Sequence, residues 1–475
     1  MKIKHFIVGL ILLLSLSSCN NKHKEYKAKY IFYFIGDGMG IQQVNAAQLY
    51  ADSVLIDSIG VVFTKFPVAS LSTTYAANRY ITCSAAAGTA LSTGSKTSIG
   101  TIGLNADHTD TLFSIAKRFK EAGRKVAILT SVSIDHATPA AFYAHKGSRS
   151  SYYEIAKDLL VSNYDFFASG GFVEPFGSKK DTGVVSIYQL GAEKGINFTQ
   201  TFSGVDSLLN IKAKSIVYSV LNPAPSSTLQ YEIDRVDSDI TLEDITRKAI
   251  DVVDNPNGFF VMVEGGKIDW ACHDNDAATV IKEVLTFSRS VNVALEFYKK
   301  HPNETLIIVT ADHETGGMSL GNENNGYKNF LSILRSQKMS QEKLHQTIEN
   351  YRNDNPKATF NQVMEIIQQN TGLSLTGDFA LSPDELEQLK QSYNRYFGVK
   401  QTNDSKNEYS KTDLLASTAL SILSKKAGIG WTSGTHTGSP VPVFVLGEGQ
   451  ELFNNFMDNT DIPKNIIKSS GIKKL

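Results

Sequence analysis

The 475-residue sequence predicts an α/β fold, a central, mostly parallel sheet flanked by helices on both faces. Residues 30–35, 125–129, 259–263 and 305–309 are short apolar runs rich in strand-forming residues, the pattern of strands buried on both faces. Helical patterns lie between them, and alternating strands and helices build an open α/β sheet. The runs end in Gly36-Asp37-Gly38, Thr130-Ser131, Glu264-Gly265-Gly266 and Thr310-Ala311-Asp312-His313. Such sheets bind ligands beyond the carboxyl ends of their strands, where these acidic residues and the histidine fall.

Residues 1–18 stand apart from that core. Lys2 and Lys4 precede an apolar run over 6–14, and Leu16-Ser17-Ser18-Cys19 follows. A basic start, a short apolar stretch and small residues before a cut describe a secretory signal. The run is too short for a comfortable membrane span. The last four residues resemble the lipobox of bacterial lipoproteins, whose Cys becomes the lipidated first residue. The expectation is an exported protein, periplasmic or on the cell surface, anchored to a membrane through Cys19, with residues 19–28 as a polar, Lys-rich tether. An ordinary cleaved signal is the alternative.

Residues 29–475 read as one large domain. Hydrophobic residues make up 41% and charged residues 20%, which supports a sizeable core. A net charge of −1 without a basic block argues against nucleic-acid binding. Residues 112–121 form an amphipathic helical pattern that stops at Gly123, a C-cap signal. Val280, Val284, Phe287, Val291 and Leu295 recur at helical spacing before Pro302. From about 322 to 430 the composition shifts to Asn, Gln, Lys and Glu, with helix-like segments at 341–352, 360–370 and 383–395. This stretch reads as a helical insertion, because the strand-like run 441–446 returns to the core pattern. The three Cys, at 19, 83 and 272, give no disulfide framework; Cys83 and Cys272 read as small buried thiols.

Several residues carry chemistry. Asp37 lies on a glycine turn at a strand end, where an ordinary turn is the competing reading. Ser84, in Thr82-Cys83-Ser84-Ala85-Ala86-Ala87-Gly88, stands where a helix is expected to start, facing free N–H groups and the positive end of the dipole. A plain capping Ser would give the same string. In Glu264-Gly-Gly-Lys-Ile-Asp269-Trp-Ala-Cys-His273, Asp269 and His273 share one helix face and suit a zinc-type ion, with Glu264 available to a neighbouring ion. Asp312, His313 and His436 extend the set beyond what one metal needs. Carboxylates with a few imidazoles suit two or more divalent ions, a known device for phosphoryl transfer.

The ordered motifs IGDGMG, TCSAAAGTAL, DHATPAAFYAHKGSR, VEGGKIDWACHDND, TADHETGG and THTGS closely resemble the alkaline phosphatase family, from about residue 30 to the end apart from the insertion. The resemblance implies hydrolysis of phosphate monoesters through a phosphoserine at Ser84. It implies one zinc on Asp269, His273 and His436, and a second on Asp37, Asp312 and His313 that also touches the Ser84 oxygen. A third ion, usually magnesium, would sit on Asp37, Thr138 and Glu264, and Arg149 would grip two phosphate oxygens. A homodimer is also implied.

Two departures qualify that pattern. Cys83 stands where the family commonly has an Asp that orients the arginine. His136 and Trp270 stand where some relatives carry Asp and Lys; His136 puts an imidazole beside the third site, which either favours zinc or cobalt there or only hydrogen-bonds the phosphate or a site water. The alternatives are a phosphodiesterase or sulfatase of the same superfamily, or a non-catalytic phosphate- or metal-binding lipoprotein.

Overall fold

The computed structural model describes residues 26–56, 59–178, 183–323, 325–377, 380–398 and 414–472. The signal over 1–18 and the lipid site at Cys19 lie outside the described residues. Ten strands form one sheet in the order Met457–Asp458, Val68–Thr73, Val441–Gly447, Thr305–Thr310, Tyr30–Ile35, Phe259–Glu264, Lys125–Thr130, Phe166–Ser169, Ile216–Ser219 and Asn197–Thr199. The four runs singled out in the sequence are the four adjacent central strands, and they pair with one another in parallel. Val441–Gly447 alone runs against its neighbours on both sides, so the sheet is mostly parallel, as expected.

Side chains alternate across a strand, and here both faces are dry. Tyr30, Phe32 and Phe34 pack into one core with residues of the helices Ile41–Tyr50, Leu242–Val253 and Ala277–Lys300. Ile31, Tyr33 and Ile35 pack into the other, with the helices Ser84–Thr93, Ile115–Glu121, Tyr152–Leu159 and Asp461–Ser470. Each fully buried Phe contributes about 1.5–3 kcal/mol by its removal from water, and the polar residues of these strands, such as Thr130, Glu264 and Thr310, stand at their ends.

The helix expected over 112–121 is shorter, Ile115–Glu121. The Ser114 hydroxyl accepts from Lys117 N and caps the helix there, while Leu112 N is held by Gly103 O at 2.9 Å. Between 322 and 430 stand the helices Gln341–Asp354, Phe360–Thr371, Pro383–Gly398 and Leu414–Ala427. A two-stranded antiparallel ribbon, Met318–Leu320 with Ile429–Trp431, closes their base. Their apolar faces, including Leu344, Ile348, Ile367, Leu389 and Leu423, join the first core. Asp276, the N-cap of Ala277–Lys300, accepts from Gln337 Nε2 (2.8 Å) and Gln341 N (2.9 Å), so a buried carboxylate ties this segment to the sheet helices.

Phe260 is fully buried at the centre of the sheet, stacked on Phe119 with ring centroids 5.0 Å apart. Phe260→Ala should lower unfolding free energy by about 3–5 kcal/mol, read as a shift of the urea midpoint. Ser114→Ala, which removes the cap and the hydroxyl's donation to Phe142 O at 2.5 Å, should lower it by about 1–2 kcal/mol.

Candidate active site

Parallel register decides where the chemistry sits. Ile35 pairs with Glu264 and with Thr310, and Thr130 pairs with Glu264, so the four central strands stop on one line. Asp37, Glu264 and Asp312 leave the sheet there side by side. Because Val441–Gly447 runs the opposite way, the residues before it reach the same edge, and they include His436. Its neighbourhood is pinned by the pairs His436 with Thr315 and Thr437 with Glu314.

Local structure then aims each side chain. Gly38 has φ +72°, and a Cβ there would lie 2.8 Å from Asp269 Oδ1. Only glycine lets the Asp37 turn meet the Asp269 helix so closely. Asp269 and His273 stand one turn apart on the helix Lys267–His273. Ser84 is buried and is the first residue of Ser84–Thr93; the cap position belongs to Cys83, without a side-chain cap bond. Ser84 is therefore not the capping Ser that its local sequence also allowed.

Three histidines are oriented through Nδ1. His273 Nδ1 donates to Gly434 O (2.8 Å) and His436 Nδ1 to Thr82 O (2.9 Å), since a carbonyl only accepts. The Thr315 hydroxyl gives its one proton to Asp269 Oδ1 at 2.6 Å, so His313 Nδ1, 3.1 Å from Thr315 Oγ1, must donate. Each ring thus turns Nε2 into the site, the arrangement in which outer partners orient metal-binding imidazoles.

The Nε2 atoms of His273 and His436 face each other at 3.2 Å. Asp269 Oδ2 is 3.4 Å from the first and Asp269 Oδ1 3.7 Å from the second. Asp269 and His436 also form a close group with His313. Asp37, Asp312 and His313 form a second group, with His313 Nε2 3.4 Å from Asp37 Oδ1, 3.3 Å from Asp312 Oδ2 and 3.3 Å from Ser84 Oγ. Asp37, His136 and Glu264 form a third. Thr138 Oγ1 donates to Asp37 Oδ2 at 3.3 Å, and the Thr130 hydroxyl donates to Glu264. Arg149 Nη2 lies 3.0 Å from His136 Nε2, and Trp270 stands edge-on to the His136 ring at 6.1 Å. All eleven residues singled out from the sequence lie in or beside these groups.

The electrostatics ask for cations. Asp37 Oδ1, Glu264 Oε1, Asp269 Oδ2 and Asp312 Oδ2 are buried without a hydrogen-bond partner, a state that costs free energy unless a cation answers it. Burial pushes Glu264 up to about 8 and Asp312, beside Asp269, up to about 7. Burial and then the Asp312, Asp269 and Glu264 charges raise Asp37 well above the carboxylate range. Burial opposes the charge on Asp269, but His273, His436 and His313 outweigh it and hold Asp269 low; His273 is raised in turn by Asp269 against its own burial. Burial, reinforced by Arg149, lowers His136 to about 3. Imidazole nitrogens converging with crowded, unpaired carboxylate oxygens fit divalent metal ions.

A profile of the family described as alkaline phosphatase matches residues 28–163 and 177–472. The chain belongs to the alkaline phosphatase family. It is 30% identical over 396 residues to alkaline phosphatase 4 of Bacillus subtilis (strain 168), covering 82% of this chain and 76% of that one. With alkaline phosphatase 3 of the same organism it shares 28% over 458 residues, 94% of this chain and 90% of that one. The crystal structure of a cold-active alkaline phosphatase from a psychrophilic Shewanella sp. aligns with a TM-score of 0.75 at 28% identity, over 93% of this chain and 99% of that one. Thermus thermophilus alkaline phosphatase aligns at 0.74 and 25% identity, over 94% and 92%. Family and fold together support phosphate monoester hydrolysis.

Reading the motifs of this family member alone missed Thr130, Glu314 and Thr315, which touch the candidate ligands or their loops. Glu314 and Thr315 were in view inside TADHETGG, but nothing local marked them, because their partners lie far along the chain. Cys83 and Cys272 form no disulfide, and Cys83 is half-buried rather than buried.

The metal-free protein has a definite pH response. Asp312 and Glu264 sit above their ordinary values near 4, so the folded chain binds more protons than the unfolded one. Their contribution is fully present below about pH 4 and is lost as pH rises through about 7 to 8. Because burial lowers His136, His313 and His436 and so opposes this trend below about pH 6.5, the melting temperature of chelator-treated protein should fall from about pH 7 to about pH 9, and added zinc should flatten the curve. A metal-free melting temperature that climbs over this range would contradict the assignment.

Proposed function

We propose that the chain hydrolyses phosphate monoesters to an alcohol and inorganic phosphate through a phosphoserine at Ser84. Asp269, His273 and His436 would hold one zinc, and Asp37, Asp312 and His313 a second. Asp37, Thr138 and Glu264 would hold a third divalent ion, with His136 beside it. The observation that carries this reading is the pair of Nε2 atoms of His273 and His436, both aimed inward at 3.2 Å beside unpaired Asp269 Oδ2. Bound divalent ions would supply positive charge to the phosphoryl oxygens and ease deprotonation of the Ser84 hydroxyl and of water.

The chain's own residues do the rest. Ser84 Oγ attacks phosphorus in line; its bond to phosphorus forms as the ester oxygen leaves with its electron pair and takes a proton. Water then breaks the Ser84–phosphorus bond, restores the hydroxyl and releases phosphate. The first N–H groups of Ser84–Thr93 and the Arg149 guanidinium face the anion, a planar fork matched to two phosphoryl oxygens. Cys83 occupies the position where the resemblance puts an Asp that orients the arginine, and His136 Nε2 lies 3.0 Å from Arg149 Nη2. The same lone pair cannot serve a metal and Arg149 at once. A third ion taken by His136 would release that N–H for phosphate, and imidazole would favour zinc or cobalt over magnesium there.

Ser84→Ala should abolish the acid-stable phosphoenzyme formed on brief reaction with labelled phosphate and lower kcat by about 10^3-fold or more. Label recovered on another residue would overturn the nucleophile. An aryl monoester should be hydrolysed well ahead of its diester and of a sulfate ester; the reverse order would favour the related esterases. His136→Asp should shift the third ion toward magnesium by metal analysis; one stoichiometric magnesium already in wild type, unchanged in the variant, would leave His136 as the arginine's holder only. We propose further that Cys19 carries lipid, so that detergent partitioning distinguishes wild type from Cys19→Ala; equal recovery in the aqueous phase would sink the anchor.

A further inference from the structure

Glu314 follows His313 directly and is 5% exposed. Its carboxylate accepts from Gln43 Nε2 at 2.7 Å, from Gly317 N at 3.1 Å, from Met318 N at 3.3 Å and from the Thr437 hydroxyl. Four donors fill the acceptor sites of an ionised carboxylate. Gln43 Nε2 also donates to Thr315 O at 2.9 Å. Gly40 packs on this arrangement, since a Cβ there would lie 2.3 Å from Glu314 Cγ and 2.8 Å from Gln43 Oε1. The third glycine of the Gly-Asp-Gly-Met-Gly turn therefore makes room for a side chain 274 residues later in the chain.

The position of this carboxylate matters because of what it joins. Thr437 adjoins His436, and only the two-residue pairing of His436–Thr437 with Glu314–Thr315 forms this small sheet. More than a hundred residues separate the two strands. His436, its side chain 12% exposed, stands on this two-residue strand, whereas Asp269 and His273 share a helix. The bond to Thr82 O orients the ring, but without a lock on its short strand His436 could stand at many distances from His273 Nε2, and a metal site needs its ligands fixed within a few tenths of an ångström.

We propose that Glu314 is the positioning residue that locks His436 onto the Asp312–His313 turn, with Gln43 and Thr437 as the two jaws, and so sets the affinity of the ion shared by Asp269, His273 and His436. The inference rests on the metal reading given above. Glu314 touches no substrate; it acts through His436. Glu314→Gln keeps the shape but turns an amide NH2 toward donors that need an acceptor. Thr437→Val removes one jaw and keeps its volume, and Thr437→Ser restores the hydroxyl.

The test is zinc titration of metal-free, full-length protein against a chromophoric chelator, with thermal melts of the same metal-free samples. Wild type should take up at least two tight ions. Glu314→Gln and Thr437→Val should weaken one of them about 10- to 100-fold and leave the rest, and Thr437→Ser should return to the wild-type curve. Combined with His436→Ala, Glu314→Gln should add nothing further to the loss at that ion, as expected for residues acting as one unit. At least two tight ions in wild type with superimposable curves for Glu314→Gln and Thr437→Val would overturn this inference alone, even if the melts fall. If Glu314→Gln does not fold, Thr437→Val decides. Fewer than two ions in wild type would overturn the metal reading and this inference with it.

Discussion

Lone pairs facing lone pairs, inside a protein, are the constraint on which the rest of this structure depends. Imidazole Nε2 atoms of His273, His313 and His436 and carboxylate oxygens of Asp37, Asp269 and Asp312 converge at 3.2–3.7 Å with no donor between them. In water such groups would separate. Here each is held from behind: Gly434 O, Thr82 O and Thr315 Oγ1 fix the rings, and Gly38 N holds Asp312. The free energy for that confinement comes from elsewhere, from two apolar layers packed on the faces of a ten-stranded sheet.

The sheet does more than supply stability. Parallel pairing in register ends Tyr30–Ile35, Lys125–Thr130, Phe259–Glu264 and Thr305–Thr310 at one level. A slip of one residue between any two would turn side chains to the opposite face and displace a carboxylate by more than 3 Å along the strand. The single reversed strand solves a second problem: it delivers a late part of the chain to an edge that parallel strands reach only at their ends. Between its arrival and the departure of Thr305–Thr310 lies the helical segment, closed at its base by a two-stranded ribbon and packed into the same core. Its length is therefore compatible with a site whose two halves must stay together.

Outer residues also shape the third group. Arg149 Nη2 lies 3.0 Å from His136 Nε2. Trp270 stands edge-on to that imidazole, and the buried Lys267 lies 5.2 Å from the Trp270 ring centroid. These side chains stand beside Asp37, Thr138 and Glu264, whose oxygens face the group.

The sequence by itself determined the four central strands, because nearly unbroken apolar runs are buried on both faces of a sheet. It also determined the helix face shared by Asp269 and His273, because that spacing is local. The glycines around Asp37 and the runs ending in Glu264 and Asp312 likewise marked the edge where chemistry would gather. Shorter strands such as Phe166–Ser169 and Ile216–Ser219 were not legible, since four residues carry too little periodicity, and Ser114 cut short a helix that apolar spacing extended by three residues. Which nitrogen of each histidine faces inward was also beyond the sequence, as was the joining of Glu314 to Gln43 and Thr437. Those depend on partners 46 to 354 residues apart, brought together only when register, strand direction and helix packing are all in place.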